Sequence, residues 1–156
     1  MQRENSIALR WTTVFGVSPR MRSGLIVNDL TAKAVHERII VLYDPDSRRS
    51  FVHVSDLVRG YMFALERSRN MAGGVFNMGS ERLNLTKRDL AACIQDLQPC
   101  KVIDSGVMDK DVRNFIPSFE KIRALGFDTN VSLGQGVSEL IKLYLVHTPH
   151  YQIRPI

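Results

Sequence analysis

Arginine is the residue type in this 156-residue sequence whose positions best suit chemistry on a ligand. Arg49 stands at the start of a strand-like segment, Arg22 lies in the first long loop, and Arg113 lies in a charged, irregular segment. A planar guanidinium group donates two parallel hydrogen bonds and therefore fits the oxygens of a phosphate. If the fold brings these three side chains together, they can hold a diphosphate.

His53 and Asp56 form the one pair that suggests acid–base catalysis. They lie where a strand turns into a helix, and side chains at such a junction need not meet. In the alternative interpretation His53 is a hydrogen-bonded core residue, and Asp56 complements the positive end of the helix dipole. The histidines and cysteines show no metal-ligand spacing, and no Gly-x-Ser-x-Gly elbow occurs. We therefore predict no catalytic residue and no metal site.

The formal net charge of +5 is compatible with a nucleic acid or another phosphate-bearing ligand. The basic residues are scattered, however, and no aromatic–basic repeat suited to base stacking occurs. A nucleic-acid-binding domain would show an affinity that falls steeply with salt. No apolar run approaches the roughly 20 residues of a membrane helix. We expect a cytoplasmic protein that binds neither nucleic acid nor membrane, with Cys93 and Cys100 in structural roles or none.

Strands and helices alternate along the sequence, which is typical of an α/β fold. The first strand is apolar or β-branched on both faces, so we expect other elements to cover both of them. The number of strands is small for a free-standing doubly wound sheet. The predicted elements are the strands 7–15, 39–43, 49–54, 74–78 and 101–103 and the helices 25–37, 56–66, 86–98, 119–125 and 132–145.

The segment 48–66 is the most informative part of the sequence. It begins with two basic residues, continues as a predicted strand and turns into an amphipathic helix. Ser55 is of the type that caps helix N-termini, and Asp56 would follow it in the first turn. Gly60 lies inside the helix, where glycine destabilises by roughly 1 kcal/mol relative to alanine. We therefore expect a neighbouring side chain to pack closely against Gly60.

Four segments between Ile7 and Leu145, taken in order, carry a resemblance to a known family. They resemble the C-terminal half of the extended short-chain dehydrogenases/reductases, in particular the NAD-dependent sugar-nucleotide epimerases and dehydratases. The resemblance implies an α/β fold that combines part of a Rossmann-like sheet with a small α/β substrate-binding lobe. The segments are LRWTTVFGVSPRMR, RRSFVHVSD, GGVFNMGS, and DVRNFIPSFEKIRALGF followed by SLGQGVSELI.

The resemblance also implies roles for individual residues. Arg49 and Arg113 match positions that hold the nucleotide diphosphate, and Thr13 matches a position near the sugar and the nicotinamide. Trp11 falls where a family residue packs toward the cofactor. The implied substrate-binding residues are Arg49, Arg113, Arg22, Asn28 and Thr13.

Two motifs of the family are missing from this sequence. It contains no Gly-x-Gly-x-x-Gly or Gly-x-x-Gly-x-x-Gly fingerprint and no Tyr-x-x-x-Lys pair, both of which the family places upstream. We therefore expect residues 1–146 to form one substrate-lobe domain without the dinucleotide-binding half, followed by a flexible tail over 147–156. Whether the chain is an enzyme on its own is left open.

Two functions follow from the resemblance. The first is a truncated epimerase or dehydratase that is inactive alone, with NAD as cofactor of the intact enzyme. The second is a stand-alone sugar-nucleotide-binding or regulatory module without catalysis. The expected ligand is a UDP-, dTDP-, GDP- or CDP-linked sugar. Because strands of a partial parallel sheet would lack neighbours, we also expect marginal stability, self-association or a partner that supplies the missing half.

Overall fold

The computed structural model describes residues 6–108 and 116–147, and strands and helices alternate there as the sequence predicts. A short 3₁₀ turn covers Glu81–Leu83. The strands are β1 (Ala8–Trp11), β2 (Thr13–Phe15), β3 (Ile39–Leu42), β4 (Arg48–His53), β5 (Val75–Met78), β6 (Asn84–Thr86) and β7 (Lys101–Asp104), and the helices are α1 (Ile26–His36), α2 (Val54–Glu66), α3 (Ser68–Met71), α4 (Lys87–Leu97), α5 (Glu120–Arg123) and α6 (Leu133–Val146).

The strands pair in three small groups. Strand β1 pairs with β5, β2 with β4 and β3 with β7, all in parallel, whereas β6 runs antiparallel to β4. Parallel pairs joined through helices define an α/β architecture. The fold class that the sequence predicts is therefore confirmed, as a part of a Rossmann-like sheet with an attached α/β lobe.

The first predicted strand differs from the expectation. Residues 7–15 form two short strands that break at Thr12, and the two halves pair with different neighbours, β5 and β4. The expectation that both faces are covered is wrong for β1, because Ala8 and Arg10 are exposed. An apolar, β-branched run predicts a strand, but the run alone does not say where the strand bends or what covers it.

Side-chain caps fix the starts of the three long helices that follow β4. Thr86 and Asp89 form a reciprocal capping box at α4, and Ser132 and Gln135 form one at α6. Both caps agree with the starts of the predicted helices 86–98 and 132–145. The predicted cap of α2 is wrong. His53 occupies that position, and its Nδ1 accepts a hydrogen bond from the Ser55 amide at 3.3 Å. Strand β6 was not predicted, since its three residues are too few to show a period.

Two apolar clusters form the core. The larger cluster lies between helices α1, α4 and α6 and the strands β2 to β4, and the smaller one lies between α2, β5 and α5. Large buried members of the first are Phe15, Ile40, Phe51, Leu90, Ile94, Leu140 and Tyr144, and those of the second are Met71, Phe76, Met78, Phe119, Ile122 and Phe127.

The outer side of α2 departs from the sequence pattern. Asp56, Gly60 and Ala64 are buried, but Val58, Tyr61, Met62 and Leu65 are exposed. The apolar positions of α2 therefore extend beyond the side that packs on this chain. Among residues 6–108 and 116–147, no helix is both long and apolar enough to cross a membrane.

Gly60 gives a first testable prediction. A Cβ added there would overlap Cη2 of Trp11 and lie 2.9 Å from Cε of Met78, which confirms the expected close packing. We expect Gly60→Ala to lower the free energy of unfolding by about 1–3 kcal/mol, because overpacking outweighs the gain of about 1 kcal/mol in helix propensity. Urea denaturation followed by circular dichroism measures this change.

Gly134 in α6 provides the matched control. The nearest atom to a Cβ at Gly134 is Cδ1 of Leu97 at 4.0 Å, so alanine fits without a clash. Gly134→Ala is expected to leave stability unchanged or to raise it by up to about 1 kcal/mol. If both variants were stabilised equally, Gly60 would not be under packing constraint.

Candidate functional site

A cavity of about 1160 Å³ opens between the bend of the first strand, the loop after it and the start of β4. Strand β2 and strand β4 are parallel neighbours, with Thr13 beside Phe51, so the bend lies next to the β4 start. Asn77 and Pro117 complete the wall on the side of β5. A cavity of this size suits a small-molecule ligand.

The structure brings together most of the residues that the sequence singles out. Arg49, Arg22, Asn28, Thr13 and Trp11 all line this one cavity. Arg113, the sixth, lies outside the described residues. The residues at the cavity come from separate segments of the chain, and the fold places them around a common space. Their contacts with a ligand remain predictions.

The cavity is strongly cationic. Arg10, Arg20 and Arg48 line it together with the two arginines already named, so five arginines line one cavity. Asp29 also lines the cavity, and its carboxylate pairs with Lys33 at 2.8 Å. Such a field favours an anionic ligand.

Arg10 was missed as a candidate by the sequence argument. Its signal was present, because Arg10 is the one charged residue within the predicted strand 7–15. A charge in an otherwise apolar strand is informative.

The loop between β2 and α1 is held in place by Asn28. This side chain is 1% exposed, its Oδ1 accepts a hydrogen bond from the Gly16 amide at 3.2 Å, and its Nδ2 donates to the Arg22 carbonyl at 3.0 Å. Gly16 has a φ of +113°, and a Cβ there would overlap the His53 ring. Asn28 thus positions the loop that carries Arg20 and Arg22.

The loop-bracing role of Asn28 is testable without a ligand. Because Asn28→Ala removes the acceptor of the Gly16 amide, and a hydrogen bond contributes about 1 kcal/mol, we expect that amide to exchange with solvent about fivefold to tenfold faster. Hydrogen exchange measured by NMR gives the rate. Thr31→Ala is the control, since the Thr31 hydroxyl bonds only the Val27 carbonyl in α1. Equal exchange rates at Gly16 in both variants would contradict the assignment.

His53 and Asp56 do not form an acid–base pair. His53 is buried, its Nδ1 caps α2, and its Nε2 lies 3.3 Å from Oε2 of Glu139. Asp56 is fully buried and accepts hydrogen bonds from the backbone amides of Asn130 and Val131 at 3.0 and 2.9 Å. Both residues therefore have structural roles, and Asp56 lies in the first turn of α2, as in the alternative interpretation. Its hydrogen bonds to the segment before α6 were not predicted.

Trp11 lines the cavity but also serves the packing of α2. Its ring lies against Gly60 and 5.4 Å from the Tyr61 ring. Its indole Nε1 is buried, and no acceptor lies within hydrogen-bonding distance among the described residues. Buried donors normally have a hydrogen-bond acceptor, and the described residues supply none to this N–H group. The contact with a cofactor stays a prediction.

Other chemistry at this site is not supported. Within residues 6–108 and 116–147, no three metal-ligating side chains converge. Burial raises the pKa of both the Cys93 and the Cys100 thiols, so neither is an activated nucleophile. The arginines that line the cavity suit binding of an anion.

Comparison with known proteins gives three findings. The model of the NAD dependent epimerase/dehydratase family matches residues 2–79. UDP-glucuronic acid decarboxylases 4 and 2 of Arabidopsis thaliana are 29% and 30% identical to this chain over 147 residues. These alignments cover 90% of this chain but 32% of either relative, so the chain spans about a third of their length.

Solved structures share the fold. UDP-glucuronic acid 4-epimerase from Bacillus cereus, in complex with UDP-glucuronic acid and NAD, superimposes with a TM-score of 0.73 at 23% identity over 89% of this chain and 45% of that one. MoeE5 in complex with UDP-glucuronic acid and NAD gives 0.72 at 24% identity over 86% and 45%. UDP-glucose 4-epimerase from Thermotoga maritima, with UDP-glucose, gives 0.72 at 24% identity over 88% and 45%.

Proposed function

Because the chain belongs to the NAD-dependent epimerase/dehydratase family, we propose that its cationic cavity binds the diphosphate of a sugar nucleotide. The observation that carries the proposal is that five arginines line one cavity. Arginine matches phosphate oxygens in charge and in geometry. Arg49 and Arg22 are the residues we assign to the diphosphate, with Arg113 as a further candidate outside the described residues.

A UDP-linked uronic acid is the ligand that we propose first. A diphosphate bridge carries two negative charges, and a uronic acid adds a third, which suits a cavity with five guanidinium groups. The curated relatives are named for UDP-glucuronic acid, and two of the solved structures contain it. We assign Thr13 to the sugar and Asn28 to the positioning of the loop that borders it. The dTDP-, GDP- and CDP-linked sugars are the competing ligands.

We further propose that residues 1–146 are the substrate-binding half and that this chain alone does not turn over substrate. NAD serves the intact family enzymes as hydride acceptor and donor. The residues present here do not make a complete NAD site, because the sequence has no glycine-rich fingerprint or Tyr-x-x-x-Lys pair. The Trp11 ring, assigned to the cofactor side, is used in packing against α2. No catalytic step is therefore assigned to the described residues.

The rival function is a binding or regulatory module that keeps the cavity and works without catalysis. The two functions differ in what a complementing half would do. A truncated enzyme half regains turnover when a dinucleotide-binding half is added, whereas a module binds a sugar nucleotide and stays inactive. We propose a cytoplasmic location for either, in keeping with two cysteines that form no disulfide.

Isothermal titration calorimetry with a coupled turnover assay tests the proposal. We expect the pure chain to bind UDP-glucuronic acid more tightly than UDP-glucose, and UDP-glucose more tightly than UMP. We expect no product with NAD present. Epimerised or decarboxylated product from the pure chain would overturn the assignment of inactivity, and absence of binding by every nucleotide sugar would overturn the assigned ligand class. Strong, salt-sensitive binding of DNA or RNA would favour the nucleic-acid alternative instead.

A further inference from the structure

The loop over residues 16–25, called here the arginine loop, carries Arg20 and Arg22, two of the five arginines that line the cavity. It lies between the end of β2 and the start of α1 and contains no helix or strand. Both arginine side chains are exposed, so their placement depends on whatever holds the backbone of the loop. Asn28 braces the Gly16 amide and the Arg22 carbonyl, which leaves the middle of the loop to be explained.

Met21 ties the middle of the arginine loop to the last helix. It stands between Arg20 and Arg22 in the sequence, is half-buried, and packs against the larger apolar cluster. Its Sδ lies 4.0 Å from the hydroxyl oxygen of Tyr144 in α6, which is 123 residues further along the chain. A thioether sulfur is a weak acceptor, and the Tyr144 hydroxyl is the donor of this contact. The loop is therefore anchored on α6 at the residue that separates its two arginines.

Tyr144 is held rigidly for this contact. Its side chain is 1% exposed, and its ring lies edge-on to the His36 ring with centroids 6.0 Å apart. Burial, together with the negative charge of Asp29, raises the pKa of Tyr144 to about 12, so the hydroxyl keeps its proton. Within residues 6–108 and 116–147, this hydroxyl has no hydrogen-bond acceptor other than the Met21 sulfur. Because buried hydroxyls normally have a partner, the contact satisfies the hydroxyl as well as the loop.

A second contact from α6 supports the start of the arginine loop. Oε2 of Glu139 lies 3.3 Å from Nε2 of His53, and the His53 ring lies directly against Gly16, the first residue of the loop. Gly136 of α6 also faces this ring, because a Cβ there would lie 2.8 Å from Cδ2 of His53. Helix α6 thus supports the loop at its first residue and at its middle, through two separate sets of side chains.

We propose that Tyr144 is a positioning residue for anion binding, which acts through Met21 to hold Arg20 and Arg22 at the cavity. The inference rests on the proposed function for the identity of the ligand. Tyr144 is not among the residues that line the cavity, so any effect it has on affinity passes through the loop. A loop held in place before the ligand arrives loses less conformational entropy on binding, and this raises affinity without a new contact.

The first test needs no ligand. Tyr144→Phe removes the hydroxyl and keeps the packing of the ring. The Met21 amide donates to the Ser18 carbonyl at 3.1 Å, and we expect hydrogen exchange of this amide, measured by NMR, to become about threefold faster in the variant. The Ser47 amide, which closes a comparable turn by donating to the Asp44 carbonyl at 3.2 Å, should exchange at an unchanged rate. An unchanged rate at Met21 would overturn the inference.

The second test is the affinity for UDP-glucuronic acid, measured by isothermal titration calorimetry. Tyr144→Phe and Met21→Leu should each weaken binding about threefold. The double variant should be no weaker than either single variant, because both changes remove the same contact. Tyr43→Phe is the matched control, since it removes a hydroxyl from a half-exposed tyrosine that does not line the cavity. Additive losses in the double variant, or an equal loss in the control, would contradict the proposal.

A third measurement identifies the groups through which Tyr144 acts. In a chain that carries both Arg20→Ala and Arg22→Ala, the loop has no guanidinium group left to position, so Tyr144→Phe should weaken binding no further. A threefold loss that persists in this background would place the effect outside the loop and refute the assigned route. If the natural chain binds no UDP-glucuronic acid, the proposed ligand is wrong, and the exchange rate of the Met21 amide still decides whether Tyr144 holds the loop.

Discussion

Replacing Asp56 with alanine is expected to lower the free energy of unfolding by about 2–4 kcal/mol, the largest effect on stability that we predict for a single side chain. The carboxylate is fully buried, accepts the amides of Asn130 and Val131, and pairs with Arg59. Its removal leaves two backbone donors without their acceptor and detaches the segment before α6 from the start of α2. Urea denaturation curves measure the change.

Asp46→Ala is the matched control for this prediction. Asp46 pairs with Arg88 at 3.0 Å on the surface, and both side chains are largely exposed. Exposed pairs contribute about 0–1 kcal/mol, so this variant should be nearly as stable as the natural chain. If Asp56→Ala lowered the free energy of unfolding by less than about 2 kcal/mol, α2 and the segment before α6 would not be coupled through this carboxylate.

The second large effect is expected at Arg49. If its guanidinium holds the diphosphate, Arg49→Ala should weaken binding of UDP-glucuronic acid about tenfold to a hundredfold, because a hydrogen bond to a charged group contributes about 1.5–3 kcal/mol. Arg49→Lys keeps the charge but loses the two parallel donors of the guanidinium group. Its affinity for UDP-glucuronic acid should therefore lie between that of the natural chain and that of Arg49→Ala. Isothermal titration calorimetry gives both values, and thermal melting verifies that the variants are folded.

Arg88→Ala serves as the control for Arg49. Arg88 is exposed, pairs with Asp46 and does not line the cavity. Its loss removes the same charge from the chain, so general electrostatic attraction is matched. An equal loss of affinity in both variants would mean that net charge, rather than a specific contact of Arg49, drives binding.

Local signals in the sequence were sufficient for the starts of α4 and α6. Thr86 and Ser132 cap their helices because each hydroxyl oxygen accepts a hydrogen bond from the backbone amide three residues later, that of Asp89 or Gln135. The cap of α2 was missed because an imidazole nitrogen of His53 performs the role usually taken by Ser, Thr, Asp or Asn. Here the tertiary position of the ring, between Gly16 and Gly136, decides the outcome.

The limits of the sequence argument are clearest in α2 and the first strand. The helical spacing of apolar residues such as Val58, Met62 and Leu65 predicts a helix, but it does not show which side of that helix this chain covers. The strand breaks at Thr12 because its two halves pair with different strands, β5 and β4. The sequence pattern of the run 7–15 does not reveal these partners. The resemblance to a family singled out Arg49 and Thr13, which both line the cavity. Arg10 was missed, because a single charge in a predicted strand does not show that it faces a cavity.

A ¹H–¹⁵N NMR titration of the chain with UDP-glucuronic acid tests most directly whether this cavity is the binding site. The account predicts saturable shifts of amide signals at the strand bend and the following loop, from Trp11 to Asn28, and at the start of β4 around Arg49. Signals of α4 near Leu97 should stay in place. Shifts confined to the α6 start around Gln135, or no shifts at millimolar ligand, would contradict the account.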